Sequence, residues 1–192
     1  GNQRFVENLS QQEVSVTRRL QLTEGHQPFA IILGCSDARV PAELVFDQGL
    51  GDLFVIRVAG NIVAPSQIGS VEFAAEQFGI RLVIVLGHTN CGAISATIDQ
   101  LLKPAENQSR NLCSIVDRVR PAVEGLLHTD LRNNREALAQ HSTRANIGLS
   151  VSHLRYGSDV LEHLIRNDGL RIVGAEYSVK TGEVTFLDNW LP

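Results

Sequence analysis

The chain has 192 residues, 43% of them hydrophobic and 20% charged, with a net charge of −4 and a pI of about 5.9. That balance suits one globular domain, 1–192, with a sizeable core; it lacks the basic excess that nucleic acid or an anionic membrane surface calls for. The longest apolar run, "RLVIVLG" at 81–87, falls far short of the roughly 20 residues that span a bilayer.

No signal peptide is legible in "GNQRFVENLS". The chain starts on Gly1 and contains no methionine, so a segment before Gly1 is expected to be missing, and a removed targeting segment is compatible with that. A cytoplasmic location is the expectation otherwise. Three cysteines, Cys35, Cys91 and Cys113, are too few and odd in number for a disulfide framework. They read as ligands, nucleophiles or core residues.

Residues 4–28 read as helical material ending near Gly25 and Pro28. "FAIILGC", 29–35, is a short apolar run bounded by proline and glycine, a strand pattern. "PAELVFDQGL", 41–50, suits a short helix opening at Pro41. "DLFVIRVAGN", 52–61, is a second strand closed by a Gly-Asn turn. "SQIGSVEFAAEQFG", 66–79, spaces its apolar residues as a helix does, with Gly69 against it. "RLVIVLGHTNCG", 81–92, is the third and most apolar strand, and "AISATIDQLL", 93–102, is a helix. "KPAENQSR", 103–110, is loop-like, and two or three helices fill 111–168. The chain closes with "LRIVGAEYSV" and "EVTFLD", a strand and its return around "KTG". Strands alternating with helices predict an α/β fold, a mostly parallel central sheet flanked by helices with a C-terminal strand pair. The sequence shows no internal repeat and no linker.

Two strand ends carry the reactive residue types. One is "GCSDAR" with Cys35, Asp37 and Arg39; the other is "GHTNCG" with His88, Cys91 and Gly92. Ligands of open α/β sheets bind outside the carboxyl ends of strands, so both segments can converge. Cys35, His88 and Cys91 are zinc-type ligands, and three protein ligands with one open position is the catalytic pattern. Asp37 can either fill that fourth position or be held off it by a bidentate Arg39. A buried core cysteine, or a hydrolase with Cys35 as nucleophile and His88 as base, fits the spacing too.

C-x-D-x-R, followed some 50 residues later by H-x-x-C, each after an apolar strand, resembles the β-class carbonic anhydrases. The likeness extends to "GDLFVIRVAGNIV", "SVEFAAEQFG" and "GAEYSVKTGEVTFLD", nearly the whole chain. It is plant-like more than like the allosteric bacterial subgroup, whose tryptophan three residues before the first ligand cysteine is here Ile32; the sole tryptophan is Trp190. The resemblance implies one zinc per subunit on Cys35, His88 and Cys91. It implies Asp37 and Arg39 as a catalytic dyad, and reversible hydration of CO2 to bicarbonate and a proton by zinc-bound hydroxide that Asp37 orients. It also implies a homodimer, with tetramer or higher assembly open, and a pocket near the subunit interface. Phe54, Phe73 and Ala59 match apolar pocket positions, and Gly92 offers a backbone N–H to bicarbonate. The substrate-binding glutamine of plant-like members falls on His26, with Gln27 beside it. Hydrolysis of carbonyl sulfide or carbon disulfide on the same scaffold, or a non-catalytic zinc-dependent bicarbonate sensor, remain as alternatives. Cys113 reads as packing, His128, His141, His153 and His163 lack ligand spacing, and the charges of 128–144 read as a solvated face.

Overall fold

The computed structural model describes residues 1–104 and 109–187. Trp190 and part of the 103–110 loop therefore lie outside the described residues. The chain opens with two short helices, α1 (Asn2–Val6) and α2 (Val16–Gln21), the second running into a 3-10 turn at Leu22–Glu24. The expected helical material ends near Gly25 and falls into two helices with a break between them. Asn8 takes a left-handed φ of 56°, and Ser10 and Gln11 donate to the Asp47 carboxylate instead of to a helix. Ser15 restarts the helix by capping the Arg18 amide at 3.0 Å.

Strand β1 (Ala30–Gly34) leads through the Cys35–Pro41 loop into the single-turn α3 (Ala42–Val45), with Pro41 at its N-cap. Strand β2 (Leu53–Arg57) ends in a 3-10 turn, Ala59–Asn61, before α4 (Pro65–Gln77). Strand β3 (Leu82–His88) is followed by α5 (Gly92–Leu102) and α6 (Arg110–Glu124). The long α7 (Arg135–Tyr156) and shorter α8 (Asp159–Asn167) precede β4 (Arg171–Tyr177) and β5 (Val184–Phe186). The strands form one sheet in the order β2-β1-β3-β4-β5, parallel throughout except for the antiparallel β5. This is the expected α/β architecture with its C-terminal strand pair.

Side chains alternate across the sheet, so the odd-numbered residues of β1 and β3 face one way and the even-numbered the other. Ile31, Leu33, Val83 and Val85 pack under α4, α7 and α8 against Val71, Ala74, Ile147, Val151 and Leu161. Ile32, Ile84 and Leu86 pack on the opposite face against Val40, Ala42, Val45 and Tyr177. Both faces are covered, which is why the strands read as unbroken apolar runs. Helix α7 lies so close to the sheet that a Cβ on Gly87 or Gly174 would come within 2.5 and 2.7 Å of the Ile147 side chain.

Register sets the site. Gly34 pairs with Arg57 on one side and with Leu86 on the other. The carboxyl ends of β1, β2 and β3 therefore lie level, and the residues that follow them meet at one edge. A third apolar group seals that edge from below, joining Cys35 and Cys91 to Ile94, Ile98, Val119, Val123 and Leu138 of α5, α6 and α7.

Candidate metal centre

Cys35 leaves the end of β1, His88 closes β3, and Cys91 caps the start of α5 after a tight turn. The ligand atoms of the three lie within 4.8 Å of one another, and all three residues are buried. The turn between His88 and Cys91 is made by Asn90, at a left-handed φ of 57°. It is held by Thr89, whose amide donates to the Tyr177 carbonyl at 2.9 Å and whose hydroxyl accepts from Val179 at 3.0 Å.

The His88 ring is fully buried and its two nitrogens differ. Nδ1 lies 2.9 Å from the Thr89 carbonyl, which fixes it as the protonated nitrogen. Nε2 then presents a lone pair toward the two sulfurs and has no hydrogen-bond partner among the described residues. A buried imidazole nitrogen left unpaired is costly unless something binds it. Burial disfavours the charged ring, but Cys35 and the Thr89 carbonyl outweigh it and draw the His88 pKa upward.

The two thiols lie together and move each other's pKa in opposite directions. Cys35 is drawn well below the usual thiol range, first by the Cys91 thiol, then by His88 and by the amides of Gly60 and Asp37, against the effect of burial. Cys91 is pushed up by the same contact and by burial, while the Ala93 and Ile94 amides at the start of α5 oppose this. A sulfur at a helix N-terminus, a second sulfur under a backbone N–H and one aimed imidazole are a soft cation's donor set. The three side chains fit a zinc ion, and binding it would release the remaining thiol proton.

Asp37 stands beside this group, its Oδ2 at 3.9 Å from His88 Nε2. Arg39 grips it in a fork, Nε to Oδ1 at 2.9 Å and Nη2 to Oδ2 at 2.7 Å, while the Arg39 amide adds a third bond at 3.0 Å. The guanidinium holds the Asp37 carboxyl far below the usual carboxylate range. Arg39 also donates to the Asn90 carbonyl at 3.1 Å, tying the dyad to the His88–Cys91 turn. Asp37 is thus paired with arginine and is not turned onto the ligand set.

Three supports were not foreseen. Arg57 donates to the carbonyls of Cys35 at 2.9 Å and Asp37 at 2.6 Å, pinning the loop that carries both. A charged residue ending the apolar run "LFVI" was a visible signal for it. The Gly60 amide donates to Cys35 Sγ at 3.3 Å, and Asn146 on α7 holds the Gly60 carbonyl at 2.7 Å. Neither had a local sequence signal.

The expected pocket residues are dispersed. Gly92 opens α5 beside Cys91, with no atom within 4 Å of where a Cβ would stand. Ala59 begins the turn that backs Cys35. Phe54 and Phe73 belong to a separate aromatic group with Phe78, the Phe54 ring at 6.3 and 6.0 Å from the other two. His26 stacks edge-on to Phe78 at 4.8 Å. Gln27 is exposed and shares a cleft with Arg18, Gln21 and His26. Cys113 is half-buried on α6. The charged residues of 128–144, Asp130, Arg132, Arg135, Glu136 and Arg144, are exposed, and Arg144 reaches the buried Glu176 at 2.9 Å.

Known proteins share this fold and family pattern. A family model described as carbonic anhydrase matches residues 30–184. Carbonic anhydrase 2 of Mycobacterium tuberculosis is 34% identical over 192 residues, covering 98% of this chain and 89% of its own. A carbonic anhydrase of Mycolicibacterium smegmatis is 36% identical over 185 residues, covering 96% and 87%. Among solved structures, the β-carbonic anhydrase CafA of Aspergillus fumigatus superposes with a TM-score of 0.81 at 25% identity, over 91% of this chain and 82% of that one. The chain belongs to the carbonic anhydrase family, in its β class. It is an enzyme, a carbonate dehydratase.

Proposed function

We propose that reversible hydration of carbon dioxide to bicarbonate and a proton takes place beside Asp37, at one zinc ion per subunit held by Cys35, His88 and Cys91. The observation that carries the reading is His88 Nε2: buried, unpartnered, facing two sulfurs, and next to a carboxylate that Arg39 keeps for itself. Zinc held by these three side chains would supply a Lewis acid able to lower the pKa of water from about 15.7 to roughly 7.

The protein's own groups do the rest. The Thr89 carbonyl fixes the His88 tautomer and ring angle. Ionised Asp37 is acceptor-only, so it can orient an attacking hydroxyl group by accepting a hydrogen bond from it. Arg39 keeps that carboxylate ionised and off the ligand set. The Gly92 amide is read as the donor to a bicarbonate oxygen, which the open space where a Gly92 Cβ would stand supports. Phe54, Phe73 and Ala59 supply apolar walls that suit an uncharged gas, and Gln27 a polar contact.

Phe54 sits three residues before Arg57 on β2, about 10 Å back from the strand end. We read it as serving the site of a second copy, with a homodimer as the working unit and a tetramer as further assembly. The exposed apolar side chains Leu9, Val14, Val16, Leu20 and Phe73, each more than half exposed, support a covering partner. Sedimentation at micromolar concentration should give a dimer or larger species.

Stopped-flow CO2 hydration by zinc-loaded protein between pH 7 and 9 tests the reaction, alongside sulfide release from carbonyl sulfide. Rapid hydration is expected. Full zinc occupancy with negligible hydration, or sulfide release alone, would overturn the reading.

A further inference from the structure

We propose that Asn146, in the middle of α7, is a positioning residue for the metal centre, acting through the glycine turn that backs Cys35. The inference rests on the zinc reading above. Asn146 is far from every ligand in sequence and touches none of them in the contacts described. It is 1% exposed, and its Nδ2 donates to the Gly60 carbonyl at 2.7 Å. One turn further along α7, Ser150 Oγ donates to the Asn61 carbonyl at 2.9 Å. The Gly60 amide, on the other side of the same residue, donates to Cys35 Sγ at 3.3 Å. The path from α7 to the ligand sulfur is thus two hydrogen bonds long and passes through one residue.

That residue is poorly able to hold its own shape. Gly60 has a φ of 71° and Asn61 a φ of 44°, two successive left-handed residues. Glycine is free to leave such a conformation and asparagine is strained in it. From the front, the turn meets Ala93 on the first turn of α5, where a Cβ on Gly60 would come within 3.0 Å. From behind, Asn146 and Ser150 pin its two carbonyls. With both in place the turn that carries the Gly60 N–H is held against Cys35.

The buried amide is costly as a mere filler. Among the described residues Asn146 Oδ1 has no hydrogen-bond partner, nor does Asn61 Nδ2. An apolar side chain at 146 would avoid an unpaired buried acceptor. What the amide adds is its one bond, to the residue that addresses the thiolate. A backbone N–H on a thiolate withdraws charge from the sulfur, and outer partners of this kind set ligand orientation and metal affinity.

Three variants separate positioning from plain structural support: Asn146→Ala, Ser150→Ala, and Thr143→Val as control. Thr143 is buried on the same helix, but its hydroxyl bonds only the Ala139 carbonyl of its own turn. Each protein is measured for zinc affinity by chelator competition and for the thiolate-to-metal charge-transfer band after cobalt substitution. Unfolding of the metal-free form is followed in parallel. Asn146→Ala should weaken zinc binding about tenfold and move the charge-transfer band to longer wavelength. Ser150→Ala should do the same to a smaller degree. Thr143→Val should lower metal-free stability and move neither readout. An Asn146→Ala protein that is less stable yet binds zinc within twofold of the parent, with its band unmoved, overturns the inference. If that variant does not fold, an unmoved band and affinity in Ser150→Ala overturn it. Parent protein that takes up no zinc refutes the zinc reading itself, and this inference with it.

Discussion

Arg39 divides its donors between two acceptors, the Asp37 carboxylate and the Asn90 carbonyl. Removing it leaves Asp37 ionised, unclamped and 3.9 Å from the open nitrogen of His88. Arg39→Ala should therefore let Asp37 swing onto the metal position, cutting CO2 hydration by about 100-fold while zinc content stays near one per chain. Arg39→Lys should recover only part of the loss, because an ammonium cannot reproduce the two-point grip. Stopped-flow rates beside metal analysis decide it, and normal hydration by Arg39→Ala would show that the clamp does not matter. Cys35→Ala and Cys91→Ala behave differently, since they delete ligands: both should lose zinc and activity together. Stoichiometric zinc in either would refute the ligand assignment. At this scale the sequence was informative where chemistry was local. Cys35, Asp37 and Arg39 alternate within five residues, and His88 and Cys91 share one turn, so spacing alone brought each set together. Gly60 and Asn146 were silent because their bond joins positions 86 residues apart, a matter of how α7 lies on the sheet.

How α7 lies is a question of elements, and it depends on two absent side chains. Gly87 on β3 and Gly174 on β4 leave the hollow into which Ile147 fits. Gly174→Ala would set a methyl 2.7 Å from Ile147 Cγ2, and overpacking of that kind costs about 1–3 kcal/mol. Ile147→Ala alone leaves a cavity worth roughly 2–5 kcal/mol. The double variant should cost less than the two singles summed, because the new methyl enters the space the isoleucine vacated. Denaturant unfolding of the four proteins measures this, and strict additivity would mean that α7 is not seated on these glycines. The strands were legible because β1 and β3 are covered on both faces and read as pure apolar runs. The first 28 residues were not. Their pattern suited a helix, but a buried carboxylate on another element captured Ser10 and Gln11, a tertiary contact that overrides local propensity.

That carboxylate, Asp47, fastens the N-terminal arm to the molecule as a whole. Asp47 is 3% exposed and takes hydrogen bonds from the Ser10 hydroxyl, the Gln11 amide and Arg4. Asn2 adds a second tie, donating to the carbonyls of Val45 and Gly182 and accepting from Val184. The Ser10 hydroxyl, the Arg4 guanidinium and the Gln11 amide hold the Asp47 carboxyl below its ordinary value of 3.8, against the effect of burial. A carboxyl whose folded-state pKa is depressed stabilises the docked arm above its unfolded value and loses that contribution as pH falls through the folded one. The arm should therefore stay docked from neutral pH down to about pH 4 and loosen progressively below it. Asp47→Asn removes the charge at every pH. It should expose residues 1–15 at neutral pH and flatten the acid dependence. Limited proteolysis across pH 3 to 7, with cleavage sites mapped by mass spectrometry, follows both effects. Equal cleavage of the arm in parent and Asp47→Asn protein at neutral pH would show that Asn2 and the remaining contacts hold the arm without the carboxylate.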